Sequence, residues 1–273
     1  MRRGPGAVLV NAALVIGAVM TAFPLLYMVS ASFMPSGTES VYPPPLIPES
    51  PTLENYQVLF AKHAAGRYLA NSALVATGAT LVSLLLNTLA GYAFAKLRFV
   101  GRDRVFKVLL GALVIPGQVA MIPLFAIMKQ LGLISTYAGV IAPSMAGIFG
   151  IFLVRQYALS LPDELLEAAR MDGASEWRIF QSVVVPLLKP ILVTLAILTF
   201  LATWNDFMWP LIILTDQHLH TLPVALAGLS REYVQDNGLM MAGSVVTVVP
   251  VLALFLAMQR YYIAGILAGG VKG

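Results

Sequence analysis

Glu167-Ala168-Ala169-Arg170-Met171-Asp172-Gly173-Ala174, with Pro186 following, is a polar, glycine-interrupted stretch in a chain otherwise built for lipid. Upstream of it, Ser160-Leu161-Pro162-Asp163 reads as a helix start, with Ser160 as cap, Pro162 in the first turn and Asp163 at the capping-box spacing. The helix is predicted over about Pro162 to Asp172, Gly173 supplies the left-handed position that ends it, and Arg170 in the last turn favours the helix dipole. A second short helix is predicted over about 175–182, leading to Pro186 and a return into the membrane. On the first helix Leu165, Ala168, Ala169 and Asp172 are spaced to share a face, flanked by Glu164 and Glu167. Helices this short are marginal alone in water and need something to pack against. Their excess of acids over bases also argues against a helix lying on the inner leaflet, where basic residues predominate.

The rest of the chain explains why such a segment stands out. Hydrophobic residues make up 59% of the 273 residues and charged ones 11%, against roughly 25% charged in soluble domains. A water-facing surface cannot be covered on that composition, and the fold class is an all-α polytopic membrane protein. Six stretches reach the length of about 20 apolar residues that a span needs: 8–30, 69–95, 105–128, 138–157, 191–214 and 239–261. The first follows Arg2 and Arg3 but is too long for a signal-peptide core, and is read as an uncleaved span. With the N-terminus inside, thirteen of the seventeen Lys and Arg fall on the cytoplasmic side and four outside. The positive-inside rule then sets both termini in the cytoplasm. The polar stretch 158–189 between spans four and five is therefore a cytoplasmic hairpin.

Cysteine is absent, which excludes disulfides, thiolate metal sites and a cysteine nucleophile. The net charge of +4 follows membrane topology and does not point to nucleic acid. No Gly-x4-Gly-Lys-Ser/Thr loop, nucleophile elbow or paired buried carboxylate occurs, so the chain is not an enzyme on its own, and any ATP is bound by another subunit.

Candidate path residues lie in the spans. Asp206 is the one acid deep in a span, beside Asn205 and between Trp204 and Trp209. An intramembrane acid is a functional candidate, although a cap where span five ends early, between aromatics of the interfacial belt, accounts for it equally. Span two carries Thr77, Thr80, Asn87, Thr88 and Gly91 in one arc, suited either to a hydrophilic path or to close helix packing. Gln118 adjoins the helix break at Pro116-Gly117, and further breaks fall at Pro123, Pro143, Pro210 and Pro250. The basic loop 96–107 reads as a topology determinant near lipid headgroups. The outer loop 31–67 is rich in proline and extended until Thr52 caps a short helix. The outer segment 215–238 carries His218, His220, Arg231 and Tyr233; the two histidines lack the further ligands of a metal site, and the segment suits an extracytoplasmic partner.

The run from Glu167 to Ala174, with Val183, Pro186 and Pro190 after it, resembles the EAA loop of permease subunits in ATP-binding-cassette importers. The resemblance covers nearly the whole chain and is nearest the second, maltose-type permease of the carbohydrate branch. It extends to Phe23-Pro24-Leu25-Leu26-Tyr27, Asn55-Tyr56, Trp204-Asn205-Asp206-Phe207-Met208-Trp209-Pro210-Leu211, Leu222-Pro223-Val224 and the tail from Gly265 to Gly273. Val183 and Val185 stand where the family often has Ile and Leu.

The resemblance implies an import permease in the cytoplasmic membrane of a bacterium or archaeon. Its expected partners are a cytoplasmic ATPase dimer holding ATP and Mg, a second homologous permease, an extracytoplasmic solute-binding protein and membrane lipid. It implies that Glu164, Glu167, Ala168, Ala169, Asp172 and Gly173 couple to the ATPase. Gly269, Gly270, Val271, Lys272 and Gly273 would reach between the ATPases, and the segment carrying His218, His220, Arg231 and Tyr233 would meet the binding protein. Asn87, Gln118, Asn205 and Asp206 are the candidate translocation path. Residues 1–66 form the first span and outer loop, 67–262 the transmembrane core and 263–273 the cytoplasmic tail on this reading. A stand-alone secondary carrier or channel is the alternative, although Asp206 alone is a poor set of ionisable groups for ion coupling. A membrane scaffold tethering a cytoplasmic protein is the third.

Overall fold

The computed structural model describes residues 5–38, 43, 45–232 and 236–270, with backbone alone at 5, 7, 8, 230–232 and 260–270. Every regular element among them is helical. In chain order these are α1 (Pro5–Ala31), α2 (Glu54–Ala61), α3 (Ala65–Lys96), α4 (Arg102–Ala112), α5 (Gly117–Gln130), α6 (Tyr137–Ile141) and α7 (Ile148–Leu159). Then follow α8 (Asp163–Met171), α9 (Glu176–Ile179), α10 (Val185–Trp204), α11 (Met208–Ile213), α12 (Leu222–Glu232) and α13 (Asn237–Gly270). Among the described residues four helices are long and apolar enough to cross a membrane, Leu9–Ala31, Ala65–Lys96, Glu176–Trp204 and Asn237–Gln259, and two bent pairs raise the number to six if each counts as one span.

The bent pairs fall within the predicted spans at 105–128 and 138–157, at the breaks read at Pro116-Gly117 and Pro143. α4 and α5 meet at 107°, and the second pair, Tyr137–Ser144 with Ile148–Leu159, bends by 44°. Pro116, extended at φ −60° and ψ 131°, caps α5 and has no N–H to extend α4 through the turn. In the second pair Pro143 lies in a 3-10 turn (Ala142–Ser144), and extended Gly147 restarts the helix.

The fifth span also differs. The predicted short helix over 175–182 does not end; backbone runs helically from Glu176 to Trp204 through one π turn at Phe180–Val184. Pro186 lacks an N–H and its ring would press on the carbonyl four residues back, and a widened turn ahead of it relieves both. The helix ends at Trp204, ten residues before the predicted limit of 214, with Asn205 as its cap, and α11 follows separately.

Two compact units emerge, Met1–Leu69 with Leu222–Leu252, and Ala70–Thr221 with Ala253–Gly273. In the first, Leu59, Ala65, Leu229, Leu239 and Ala242 form the core, and α1 exposes Leu9, Leu14, Met20 and Leu26 as a lipid-facing helix would. The buried Asn55 amide donates to the carbonyls of Ser32 and Met34 at 3.0 and 2.8 Å, tying α2 to the end of α1. Thr52 stands one residue ahead of the α2 cap, Leu53, although its hydroxyl accepts the Glu54 N–H at 3.1 Å.

In the second unit one core gathers Tyr92 from α3, Val154 and Ala158 from α7, Leu166 from α8, and Ile179, Phe180, Val184, Leu188 and Leu195 from the continuous helix. α3 and α7 approach closely at Gly91, where a Cβ would lie 2.6 Å from the Val154 side chain and 3.0 Å from the Arg155 backbone nitrogen. A second core joins Val75, Met128, Val140, Trp209, Ile213 and Leu214.

Candidate functional site

The elbow from α8 to α9 is set by α8's seating. Leu166, 2% exposed, is its buried anchor, and Ala169 packs beside it against the same core. The outward surface carries Glu164, Leu165, Glu167, Ala168, Met171 and Asp172, with Met171 88% and Trp177 56% exposed. Ala169 thus faces the protein, which removes it from the face predicted to be shared with Leu165, Ala168 and Asp172. Gly173 takes φ +77°, the left-handed value that favours glycine, and its N–H donates to the Arg170 carbonyl at 3.0 Å. Arg170 closes the elbow by donating to both Glu176 carboxylate oxygens, at 2.6 and 3.2 Å.

Ser160 does not cap α8. It ends α7, its hydroxyl donates to the Tyr157 carbonyl at 2.7 Å, and extended Pro162 occupies the cap without a side-chain bond. The start of α8 is held instead by Lys96 at the end of α3. Its side chain is 7% exposed, and its ammonium donates to the Leu161 carbonyl at 2.7 Å and to the Asp163 carboxylate at 2.6 Å. Lys96, read from the sequence as an inner positive charge, is therefore a structural tie as well. Arg155 is another, since it donates to the Phe94 carbonyl at 3.2 Å and lies over the Phe106 ring at 4.1 Å.

The hydrogen bond from Lys96, and then its charge, hold the Asp163 carboxyl below the usual carboxylate range. A carboxyl with a depressed folded-state pKa contributes stability above its unfolded pKa and loses it as pH falls through the folded value. Amide protection factors across 163–171, corrected for intrinsic exchange, are expected to fall on acidification below about pH 4, and Asp163→Asn should remove most of that dependence.

The path candidates part company. Gln118 and Asp206 come together with Ser144, Thr203, Met121 and Trp209 around a cavity of about 390 Å³. Asp206 stands one residue ahead of Phe207, the α11 cap, but its carboxylate accepts the Trp209 N–H in the first turn at 3.4 Å, and it lines the cavity as well. Asn205 is exposed at the end of α10 and bonds back to the Leu201 carbonyl at 2.8 Å. Asn87, 1% exposed, donates to the Ser83 hydroxyl at 2.7 Å and leaves its Oδ1 without a partner among the described residues. Gly150 has no room for a Cβ against the Asn87 amide, and Thr80, Thr88 and Gly91 are buried alongside, so this part of the stripe packs helices together, whereas Thr77 is exposed. Trp204 and Trp209 do not form an interfacial belt: they are 2% and 5% exposed, Trp204 stacked on Phe200 and Trp209 donating to the Gly139 carbonyl at 3.1 Å.

On the predicted outer side, His218 is exposed and His220 half-buried, joined by a 3-10 turn (Gln217–Leu219) that Asp216 caps at 2.8 Å. Arg231 lies on α12 with only its backbone described; Tyr233, Val271, Lys272 and Gly273 lie outside the described residues, and Gly269 and Gly270 close the backbone of α13. Sequence reasoning missed Ser144 and Thr203, which carry no signal beyond small polarity, and Asn71, whose signal is an amide near the end of an apolar span.

Residues 87–266 match the family model described as binding-protein-dependent transport system inner membrane component. The chain is 41% identical over 265 residues to the arabinooligosaccharides transport system permease protein AraQ of Halalkalibacterium halodurans, covering 94% of this chain and 93% of that one. It is 33% identical over 257 residues to the lactose transport system permease protein LacG of Rhizobium radiobacter (94% and 93% covered). Likewise it is 33% identical over 261 residues to the sn-glycerol-3-phosphate transport system permease protein UgpE of Shigella flexneri (93% of each). Its fold superposes with a TM-score of 0.84, at 24% identity, on a chain of a bacterial ABC transporter involved in alginate import, over 96% of this chain and 98% of that one. A second alginate transporter structure, bound to its periplasmic protein, gives 0.66 at 13% identity over 92% and 94% of the two chains. Long apolar helices, a polar elbow turned outward and these matches agree: the chain is a multi-pass permease subunit, not itself an enzyme, and belongs to the family of binding-protein-dependent transport system inner membrane components.

Proposed function

We propose that this chain forms one half of the translocation pathway of an ATP-driven importer for a sugar or sugar-like solute, and that the α8–α9 elbow couples it to a separate ATPase. The observation that carries this is the split of α8: Leu166 and Ala169 pack inward, while Glu164, Leu165, Glu167, Ala168, Met171 and Asp172 stand outward without a partner in the chain's own core. An acidic surface with exposed apolar side chains on a short helix fits a cleft in another protein better than anionic headgroups. The relatives' carriage of arabinooligosaccharides, lactose and glycerol phosphate supports the solute class. Family membership favours this reading over a stand-alone carrier or channel.

In this reading the two bent pairs each count as one span, giving six, with both termini inside. Residues 1–66 are the first span and outer loop, 67–262 the core and 263–273 a tail whose Gly269–Gly273 reach the ATPases. The ATPase dimer binds ATP and Mg; this chain holds neither. A second homologous permease completes the pathway, and the cavity with Gln118 and Asp206 faces it, presenting a carboxylate, an amide and two hydroxyls to sugar hydroxyls. Asn205, exposed one residue before Asp206, extends this polar surface, whereas Asn87, packed between helices, lies off it. His218, His220, Arg231 and Tyr233 meet the solute-binding protein. Glu167→Lys tests the coupling. The variant should reach the membrane in normal amount while co-purified ATPase and ATP-dependent uptake fall by about tenfold, the equivalent of one charge-assisted contact of about 1.4 kcal/mol. Unchanged values of both would dismiss the elbow's role.

A further inference from the structure

Residues 213–220 form an exposed crest on an anchored base. Ile213 and Leu214 are buried, whereas Thr215, Asp216, Gln217 and His218 are exposed. Such a polar turn would be mobile if it were held by its own short 3-10 turn alone. Instead, two polar side chains from elsewhere in the same unit hold it.

The first is Asn71 on α3, 7% exposed. Its amide nitrogen donates to the His218 and His220 carbonyls, both at 2.9 Å, and its amide oxygen accepts the Tyr137 hydroxyl at 2.7 Å. Both amide protons and the acceptor are thereby engaged. The second is Ser135, which sits at φ +55°, a conformation costly to a residue with a Cβ. There its N–H donates to the Ile213 carbonyl at 2.8 Å and its hydroxyl accepts the Asp216 N–H at 3.0 Å. Backbone strain of this kind persists where the surroundings over-determine it, and here what it secures is the crest.

We infer that Asn71 and Ser135, with Tyr137 behind Asn71, are positioning residues for the docking of the solute-binding protein: they pre-order the 215–218 crest, so that docking does not have to. This rests on the reading that the crest faces that partner. Pre-ordering acts on affinity and leaves the turnover of the docked complex alone.

The test uses the assembled transporter in lipid nanodiscs with cysteine-free partners and its cognate binding protein. This chain has no cysteine, so Gln217→Cys carries a single nitroxide. In the parent the nitroxide should be restricted, and docking should immobilise it further. Asn71→Ala should free it in the undocked complex and raise the half-saturating concentration of binding protein for ATPase stimulation by about tenfold, with basal and maximal rates unchanged. Tyr137→Phe and Ser135→Gly, the latter tolerating the positive φ, should give smaller shifts in the same direction, and they carry the test if Asn71→Ala does not assemble. A nitroxide unaffected by docking in the parent overturns the contact reading and the inference with it. Immobilisation on docking with no change in any of the three variants overturns the inference alone. A fall in basal and maximal rates at constant half-saturation also overturns it, because it marks a purely structural role.

Discussion

Gly173→Pro is expected to lower ATP-dependent uptake at least tenfold while the chain still reaches the membrane. The turn it interrupts has φ +77° at Gly173. Proline fixes φ near about −65° and removes the N–H, which here donates to the Arg170 carbonyl at 3.0 Å. The combined cost is about 3 kcal/mol or more, against which the elbow has the exposed Arg170–Glu176 pair, worth about 1 kcal/mol at most, and the anchor of Ile179. The turn must reshape, and the outward face of α8 turns away from the proposed ATPase. Membrane insertion, decided by the apolar helices on either side, should not change. Uptake of labelled solute beside an immunoblot of the membrane fraction reads both quantities. Near-normal uptake would show that the elbow's shape is immaterial.

Gly91→Val should have the largest effect on stability. A Cβ at this position meets Val154 Cβ and Cγ1 at 2.6 Å and the Arg155 backbone nitrogen at 3.0 Å, so relief requires α3 and α7 to separate. Overpacking of a tight interior costs about 1–3 kcal/mol for small additions. Gly91→Ala should fall in that range and Gly91→Val beyond it. The shift is visible as a lower melting temperature of the detergent-purified complex. Val154→Ala in the Gly91→Ala background should recover part of the loss, because it removes Cγ1 and leaves Cβ. No loss for Gly91→Val would mean that the two helices are not held at this distance.

Legibility in the sequence followed the kind of signal each feature leaves. Apolar length marked α1, α3 and α13 closely, because a span is a property of many residues together. Gly173 was legible because a glycine after a helical run and a basic last turn has one common use. The 107° bend at Pro116 was legible as a break but not as an angle, since the angle depends on what α4 and α5 pack against. Ser160 was misread because serine ends α7 as readily as it would begin α8, and local pattern does not separate the two roles. Ala168 and Ala169 look equivalent as letters; only the burial of Leu166 shows which of them turns outward. Gln118 and Asp206 were singled out separately, and their meeting in one cavity is a long-range fact. Lys96 read as one inner charge among several, and its tie to Asp163 spans 67 residues that no local window contains.

The central claim is that the outward face of α8 is gripped by a nucleotide-hydrolysing neighbour inside the cell. Because the chain has no cysteine, Ala168→Cys and Ala169→Cys can be compared as single probes in the assembled transporter. The exposed Ala168 position should cross-link efficiently to the ATPase and the inward Ala169 position weakly, with neither labelled by an impermeant maleimide added outside intact cells. Outside labelling at 168, or an absence of cross-linking from 168 in a complex that still hydrolyses ATP and transports, would contradict it.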